Sequence, residues 1–349
     1  MKTKKALHTK NVIPQKETKK SFFDNTKYHK ILLALSVVLV FGNTIFNEYS
    51  LDDALDVFEN VKVMKGVAGI PEIFTTCFCI INNAEFDYRP ISPATFAIEY
   101  QLFGLNPHIS HFFNVLIYIA VVLLAYSFLR RILNQYKPVI VFVITILFTI
   151  HPLHTEVVAS LKNRQELLAF MFGFMALIRV HKYILEDQNY KHIVFGIIFM
   201  TLSLLSKLSA LPFIGIILFM LFYYSNDKFE YKKIVIALLF AVIPLIIIFF
   251  TKDWLFRNNY SFDESPLFLA SLSEKIGTTF KIYLYYFRLL IIPYPLCFYY
   301  GFDTIKLIPF FHPVSLAGIL FFMYLLWKTF FWLKEKNVKG LLLLFFLIS

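Results

Sequence analysis

From residue 30 onward the chain is a succession of apolar runs separated by polar or basic stretches, and that repetition limits the possible folds more than any motif does. A membrane-spanning helix needs about 20 mostly apolar residues. Residues 30–47, 111–132, 138–150, 166–183, 234–250 and 313–331 approach or meet that requirement. Residues 193–224 would make a single helix about 48 Å long, too long for a hydrocarbon core of about 30 Å. This run is therefore expected to fold back, with Lys207, flanked by Ser206 and Ser209, at the turn. A lysine at the centre of a spanning helix costs about 2.5–3.5 kcal/mol, and a turn at the membrane face removes that cost. Composition agrees: 58% of residues are hydrophobic, 16% are charged and the mean hydropathy is +0.65, which excludes a soluble enzyme. A net charge of +11 would suggest nucleic acid in a soluble protein, but here lysine and arginine sit between apolar runs, as orientation signals do. The expected fold is an all-α polytopic membrane protein with no nucleic-acid partner.

Charge asymmetry orients the spans. Residues 1–29 form a lysine-rich tail expected in the cytoplasm ahead of an uncleaved first helix over 30–47. Residues 48–110 then lie outside, and their nine acids against Lys62, Lys65 and Arg89 agree with that placement. So long a loop is expected to be structured, with interfacial helices over 67–81 and 95–103. Residues 111–250 carry spans two to seven, and 251–312 form a second external loop with an interfacial helix near 278–292. Placing 278–292 in the interface lets 313–331 cross inward and leaves the basic segment 334–339 in the cytoplasm. Residues 313–349 then hold one more span and the start of a further, truncated helix.

This topology gathers the polar outliers on one side: Asp52, Asp53, Arg89, His151, His154, Glu156, Arg164, Glu166, Lys207 and Arg288. Ionisable groups near membrane depth commonly line a substrate path. Asp52 and Asp53 have two readings, as solvated loop acids or as a catalytic pair presented to a substrate at the membrane surface. Arg164 and Glu166 read locally as helix-end charges, and Lys207 as an interface anchor or a phosphate ligand. His151, His154 and Glu156 have the spacing of three metal ligands, but Pro152 interrupts the helix such a site needs, and HExxH does not occur. Polar residues closing a helix end are the simpler reading. Cys77, Cys79 and Cys297 support no redox argument.

Several segments, in order, resemble the GT-C superfamily of polyprenol-phosphate-sugar glycosyltransferases, and within it the transmembrane O-mannosyltransferases that carry tetratricopeptide repeats and their bacterial relatives. They are Asn47-Glu48-Tyr49-Ser50-Leu51-Asp52-Asp53, Tyr88-Arg89-Pro90-Ile91-Ser92, His111-Phe112-Phe113-Asn114, His151-Pro152-Leu153-His154-Thr155-Glu156, Asn163-Arg164-Gln165-Glu166-Leu167, Leu205-Ser206-Lys207-Leu208-Ser209 and Tyr286-Phe287-Arg288-Leu289-Leu290. The resemblance implies a GT-C-like helical bundle in which Asp52 matches the general base and Asp53 its neighbour. It implies a polyprenyl- or dolichyl-phosphate sugar as donor and a protein Ser or Thr hydroxyl as acceptor, on the periplasmic or ER-lumenal face. Glu156, Arg164 and Arg288 match positions near the donor or acceptor, and Arg89, His154, Glu166 and Lys207, on the same face by topology, are the further candidates for binding donor phosphate or acceptor. No cofactor is expected, and a divalent metal is not required by a phosphate already carried on lipid. Two features depart from the family pattern: the second acidic motif has one carboxylate, and the repeat tail is missing. The alternatives are a transporter or flippase of lipid-linked sugars, for which no internal inverted repeat is found, an inactive fragment of the transferase, and a catalytically silent scaffold.

Overall fold

The computed structural model describes residues 24–50, 52–76, 79–81, 84–86, 88–224, 231–250, 266–297, 300 and 304–348. The long helices follow the apolar runs. Helix α1 (Thr26–Phe41) starts at an Asn25 cap, whose side chain accepts from the Lys27 N–H, and continues as a tighter turn through Gly42–Phe46. Between it and the next long helix, the loop folds into α2 (Ile70–Thr75), a short antiparallel hairpin of β1 (Cys79–Ile81) and β2 (Ala84–Phe86), and α3 (Ile91–Phe103). The expected helix over 67–81 is therefore shorter than predicted, and its last three residues, Cys79–Ile81, pair as a strand. The architecture is otherwise helical, as an all-α polytopic membrane protein requires.

The bundle is built on α4 (Pro107–Ile132), α5 (Pro138–Thr149), α6 (Thr155–Ala159) and α7 (Arg164–Lys182). It continues through α8 (Tyr190–Ser206), α9 (Leu211–Tyr223) and α10 (Tyr231–Phe250). The chain bends by 52° between α5 and the Pro152–Ala159 segment, because Pro152 can begin a helix but cannot continue the one before it. Helix α8 stops at Ser206, Lys207 is extended, and α9 resumes at Leu211, so the long apolar run breaks at the predicted lysine. After α11 (Pro266–Leu269) come α12 (Leu272–Ile291), α13 (Pro313–Lys334) and α14 (Val338–Ile348). Among the described residues, four helices are long and apolar enough to cross a membrane, or five if the bent pair is one span; α12 is not one of them.

One core joins α1, α4, α7, α8 and α9 through Leu33, Tyr118, Leu177, Met200 and Phe213, all buried. His29 adds a polar tie inside it, its Nδ1 lying 2.8 Å from the Tyr126 hydroxyl. The outer faces remain apolar: Leu39 on α1 is 84% exposed and Leu320 on α13 is 71% exposed. Faces of this kind need hydrocarbon around them rather than water. Helix α13 packs closely on α12 at Gly318, where a Cβ would lie 2.6 Å from the Phe280 carbonyl oxygen. A second, smaller core of Val57, Val63, Ile73, Phe96, Ala97 and Leu161 stiffens the loop after α1. Leu161 belongs to the approach to α7, so this core presses the loop onto the start of that helix.

Candidate active site

Five consecutive residues at the start of α7, Lys162 to Glu166, each reach a different segment of the chain. The Lys162 N–H donates to Asp53 Oδ1 at 3.0 Å, while its ammonium pairs with Asp52. Asn163 donates to Glu156 Oε1 at 3.2 Å. Gln165 Oε1 accepts from Arg89 Nη1 at 2.9 Å. Glu166 takes an ion pair from Lys207 at 2.7 Å and a hydrogen bond from the Ser209 hydroxyl at 2.8 Å. Its place in the first turn also suits the positive end of the helix dipole.

Arg164, the middle residue, is completely buried. It pairs with Glu99, and it donates to Asn114 Oδ1 at 2.7 Å, the Ser110 carbonyl at 2.7 Å and Thr95 Oγ1 at 3.2 Å. The Phe96 ring covers its guanidinium at 3.8 Å. An arginine at a helix N-terminus opposes the dipole, and the Glu99 carboxylate offsets that. Burial holds the Glu99 carboxyl above the usual carboxylate range, with Arg164 and the Ser110 hydroxyl opposing the rise. Arg164 is thus not the solvated helix-end charge that its local sequence suggests, and its fork is engaged by α3 and α4.

The acid pair divides. Asp53 is 1% exposed, and its carboxylate accepts the N–H groups of Ser50 and Lys162, each at 3.0 Å, so it clamps the loop after α1 to the loop before α7. Asp52 keeps more than half of its side chain exposed and, beside Lys162, faces a cleft of ≈ 620 Å³. Ser50, Glu156, Asn163, Leu296 and Cys297 also line that cleft. A volume of this size suits a sugar-sized ligand.

The remaining predicted residues sit around this centre. His154 Nδ1 lies 2.8 Å from the Tyr118 hydroxyl, which also reaches the Thr149 carbonyl. His151 Nε2 meets the Leu290 carbonyl at 3.2 Å. With Glu156 turned to Asn163, the HxxHxE side chains point to three different partners, and no trio of ligating side chains is gathered among the described residues. Arg288 stacks on Tyr285 at 4.8 Å and donates to the Tyr294 carbonyl at 3.2 Å, two residues before Leu296 at the cleft. It therefore supports one wall and is not itself among the lining residues.

Comparison with known proteins finds similar sequences. A Caenorhabditis elegans protein O-mannosyl-transferase is 27% identical over 283 residues, covering 79% of this chain and 39% of that protein. The human protein O-mannosyl-transferase TMTC1 is 30% identical over 156 residues, 43% of this chain and 18% of its own length. The mouse TMTC3 protein O-mannosyl-transferase is 26% identical over 196 residues, 54% and 21% respectively. The chain is similar in sequence to proteins named protein O-mannosyl-transferases. It spans about two fifths or less of the length of these relatives. No family model matches, and no solved structure matches.

Sequence reasoning passes over four residues that the structure puts at the centre. Lys162 stands one residue before the motif that drew attention, and Asn114 closes another. Glu99 was one acid among nine. Asp56 is the fourth: it follows the acid pair on a π-helical turn, Ala54–Phe58, is 2% exposed, and neither of its oxygens has a hydrogen-bond partner. Burial is the main cause that pushes its carboxyl up to about 8, against the pull of Lys162.

The folded state therefore holds a proton that the unfolded chain releases near pH 4. Where the native state binds more protons, stability falls as pH rises, here from about pH 4 to about pH 8, by up to about 1.4 kcal/mol per pH unit. Asp56→Asn keeps the shape and removes the titration. It is expected to melt higher than the parent at pH 8, with the difference shrinking towards pH 5, in thermal unfolding followed in detergent. An equal pH slope in both proteins would contradict the assignment.

Proposed function

We infer that this chain carries the transfer chemistry of a membrane glycosyltransferase, moving a mannose-like sugar from a polyprenyl- or dolichyl-phosphate donor to a Ser or Thr hydroxyl of a protein at the external or ER-lumenal face. The observation that carries the reading is the Asp52 carboxylate beside the Lys162 ammonium in the lining of a ≈ 620 Å³ cleft, on a loop clamped by Asp53. A base and a cation side by side at a membrane surface match the two charges that move in such a transfer. The names of the relatives supply the sugar and the protein acceptor.

In the proposed reaction Asp52 takes the proton of the acceptor hydroxyl as its oxygen attacks the anomeric carbon. The new C–O bond forms on one face of the sugar while the bond to the phosphate oxygen breaks on the other, so the anomeric configuration inverts. The electron pair leaves with the lipid phosphate, whose growing charge Lys162 neutralises once the donor has displaced it from Asp52. Glu156 and Asn163 line the same cleft and orient sugar or acceptor hydroxyls. Arg89, His154, Arg164, Glu166, Lys207 and Arg288 hold the loops that form the cleft. No cofactor enters these steps.

The test is the chain reconstituted with radiolabelled dolichyl-phosphate mannose and a Ser/Thr-rich acceptor peptide. Labelled glycopeptide and dolichyl phosphate should appear in equal amounts. Movement of the labelled lipid across the bilayer with no glycopeptide would replace the transferase with a flippase.

A further inference from the structure

At the far end of α4 and α7 from the cleft lies a second cavity, of ≈ 410 Å³, between the ends of α4, α7 and α9 and the turn joining α13 to α14. Helix α4 has 26 residues, so the two sites are separated by about 39 Å of helix. Its lining combines apolar side chains, Ile132, Leu185 and Val338, with Arg131, Lys336, Tyr223 and Tyr224. That mixture of apolar side chains with cations and tyrosines occurs where helix ends meet the membrane interface. We propose that this cavity binds the phosphate-bearing headgroup of an anionic membrane lipid, with Arg131 and Lys336 as its cationic ligands.

Lys336 supports the assignment through its backbone. Its φ is 51°, in the left-handed region where glycine is the ordinary residue. The turn it makes is a helix ending: the Lys336 N–H donates to the Leu333 carbonyl at 3.0 Å and the Asn337 N–H to the Trp332 carbonyl at 2.8 Å. Glycine would close that turn with less strain, so the lysine is not there for the turn. What it adds is a cationic side chain on the cavity wall. Arg131 currently pairs with Glu186, whose side chain is 46% exposed. An ion pair this exposed is weakly held, and a phosphate, with more charge and more acceptor oxygens, displaces the carboxylate from a guanidinium fork. Basic pockets between helices at one membrane face are a recurrent means of holding phosphorylated headgroups. A choline headgroup would bring a cation against two others and is discriminated against.

The experiment is native mass spectrometry of the full chain released from detergent, titrated with phosphatidylinositol 4-phosphate and, separately, with phosphatidylcholine of the same acyl chains. The phosphoinositide should be retained at least tenfold better. Lys336→Gly, which suits the turn and so keeps the fold, should weaken retention by about tenfold, as should Arg131→Gln. Glu186→Gln frees Arg131 and should tighten it. Equal retention of both lipids, or undiminished binding by Lys336→Gly, overturns the site. Equally potent displacement by soluble inositol 1,4-bisphosphate overturns the lipid as its source. The readout is binding, so it does not depend on transfer activity at the other end of the bundle.

Discussion

Asp52→Asn is expected to lower sugar transfer by about 10²–10⁴-fold, the range supplied by a positioned general base, while leaving the melting temperature unchanged. Asp52 is more than half exposed, and it pairs with the Lys162 ammonium, also exposed, so its loss removes little that holds the fold. Asp53→Ala should behave in the opposite sense. It leaves the N–H groups of Ser50 and Lys162 without the carboxylate that joins them, in a position 1% exposed. Hydrogen bonds to a charged group contribute about 1.5–3 kcal/mol, so a loss of that order in unfolding free energy is expected, along with reduced transfer from a displaced loop. The discriminating measurement pairs initial rates with thermal melts for both variants in the same detergent. Wild-type transfer by Asp52→Asn would remove the proposed base. Identical melting losses in the two variants would remove the division of labour between the neighbours.

The contrast between Asp52 and Asp53 marks where sequence reading ends. Apolar run length depends on local composition and on the thickness of a bilayer, so the breaks at Pro152 and Lys207 were legible, and both appear where expected. The strand at Cys79–Ile81 was not, because a short apolar stretch pairs as a strand or coils as a helix according to its tertiary neighbours.

The site was half legible. Its members could be gathered on one side by counting crossings, but which of them touch could not be derived. Each contact of residues 162–166 joins segments distant in the chain, as with Arg89 and Gln165, or Glu166 and Lys207. Burial is the least readable quantity. Arg164 and Glu166 have similar local sequence, yet one is sealed under Phe96 and the other is partly open beside Lys207. The acid that neutralises Arg164 stands 65 residues earlier on α3, where a periodic apolar face also carries Phe96 and Ala97 into the small core.

That buried pair yields the other large expected effect. Arg164→Ala strips the cation from Glu99, whose side chain is 10% exposed and retains only the Ser110 hydroxyl among the hydrogen bonds described above. It also leaves the Ser110 carbonyl and Asn114 without their donor. Removing one partner of a buried ion pair costs about 3–5 kcal/mol, a large fraction of the stability of most folded proteins. The variant should therefore express poorly or melt far below the parent. The charge itself is not what the fold requires, since an apolar pair of similar volume avoids both desolvation penalties. Arg164→Met combined with Glu99→Leu is accordingly expected to recover much of the lost melting temperature, leaving the Ser110 and Asn114 groups as the residual cost. Transfer should not recover in step. Arg164 is the central residue of the stretch that sets Lys162 and Asn163 at the cleft, and a methionine on α7 cannot hold α3 and α4 in register through directed hydrogen bonds. Melting temperature and transfer rate measured on the single and double variants decide it. A single variant as stable as the parent would show that the pair is not the joint between α3, α4 and α7. A double variant restored in stability and in full transfer would show that any tight packing at that joint suffices for the site.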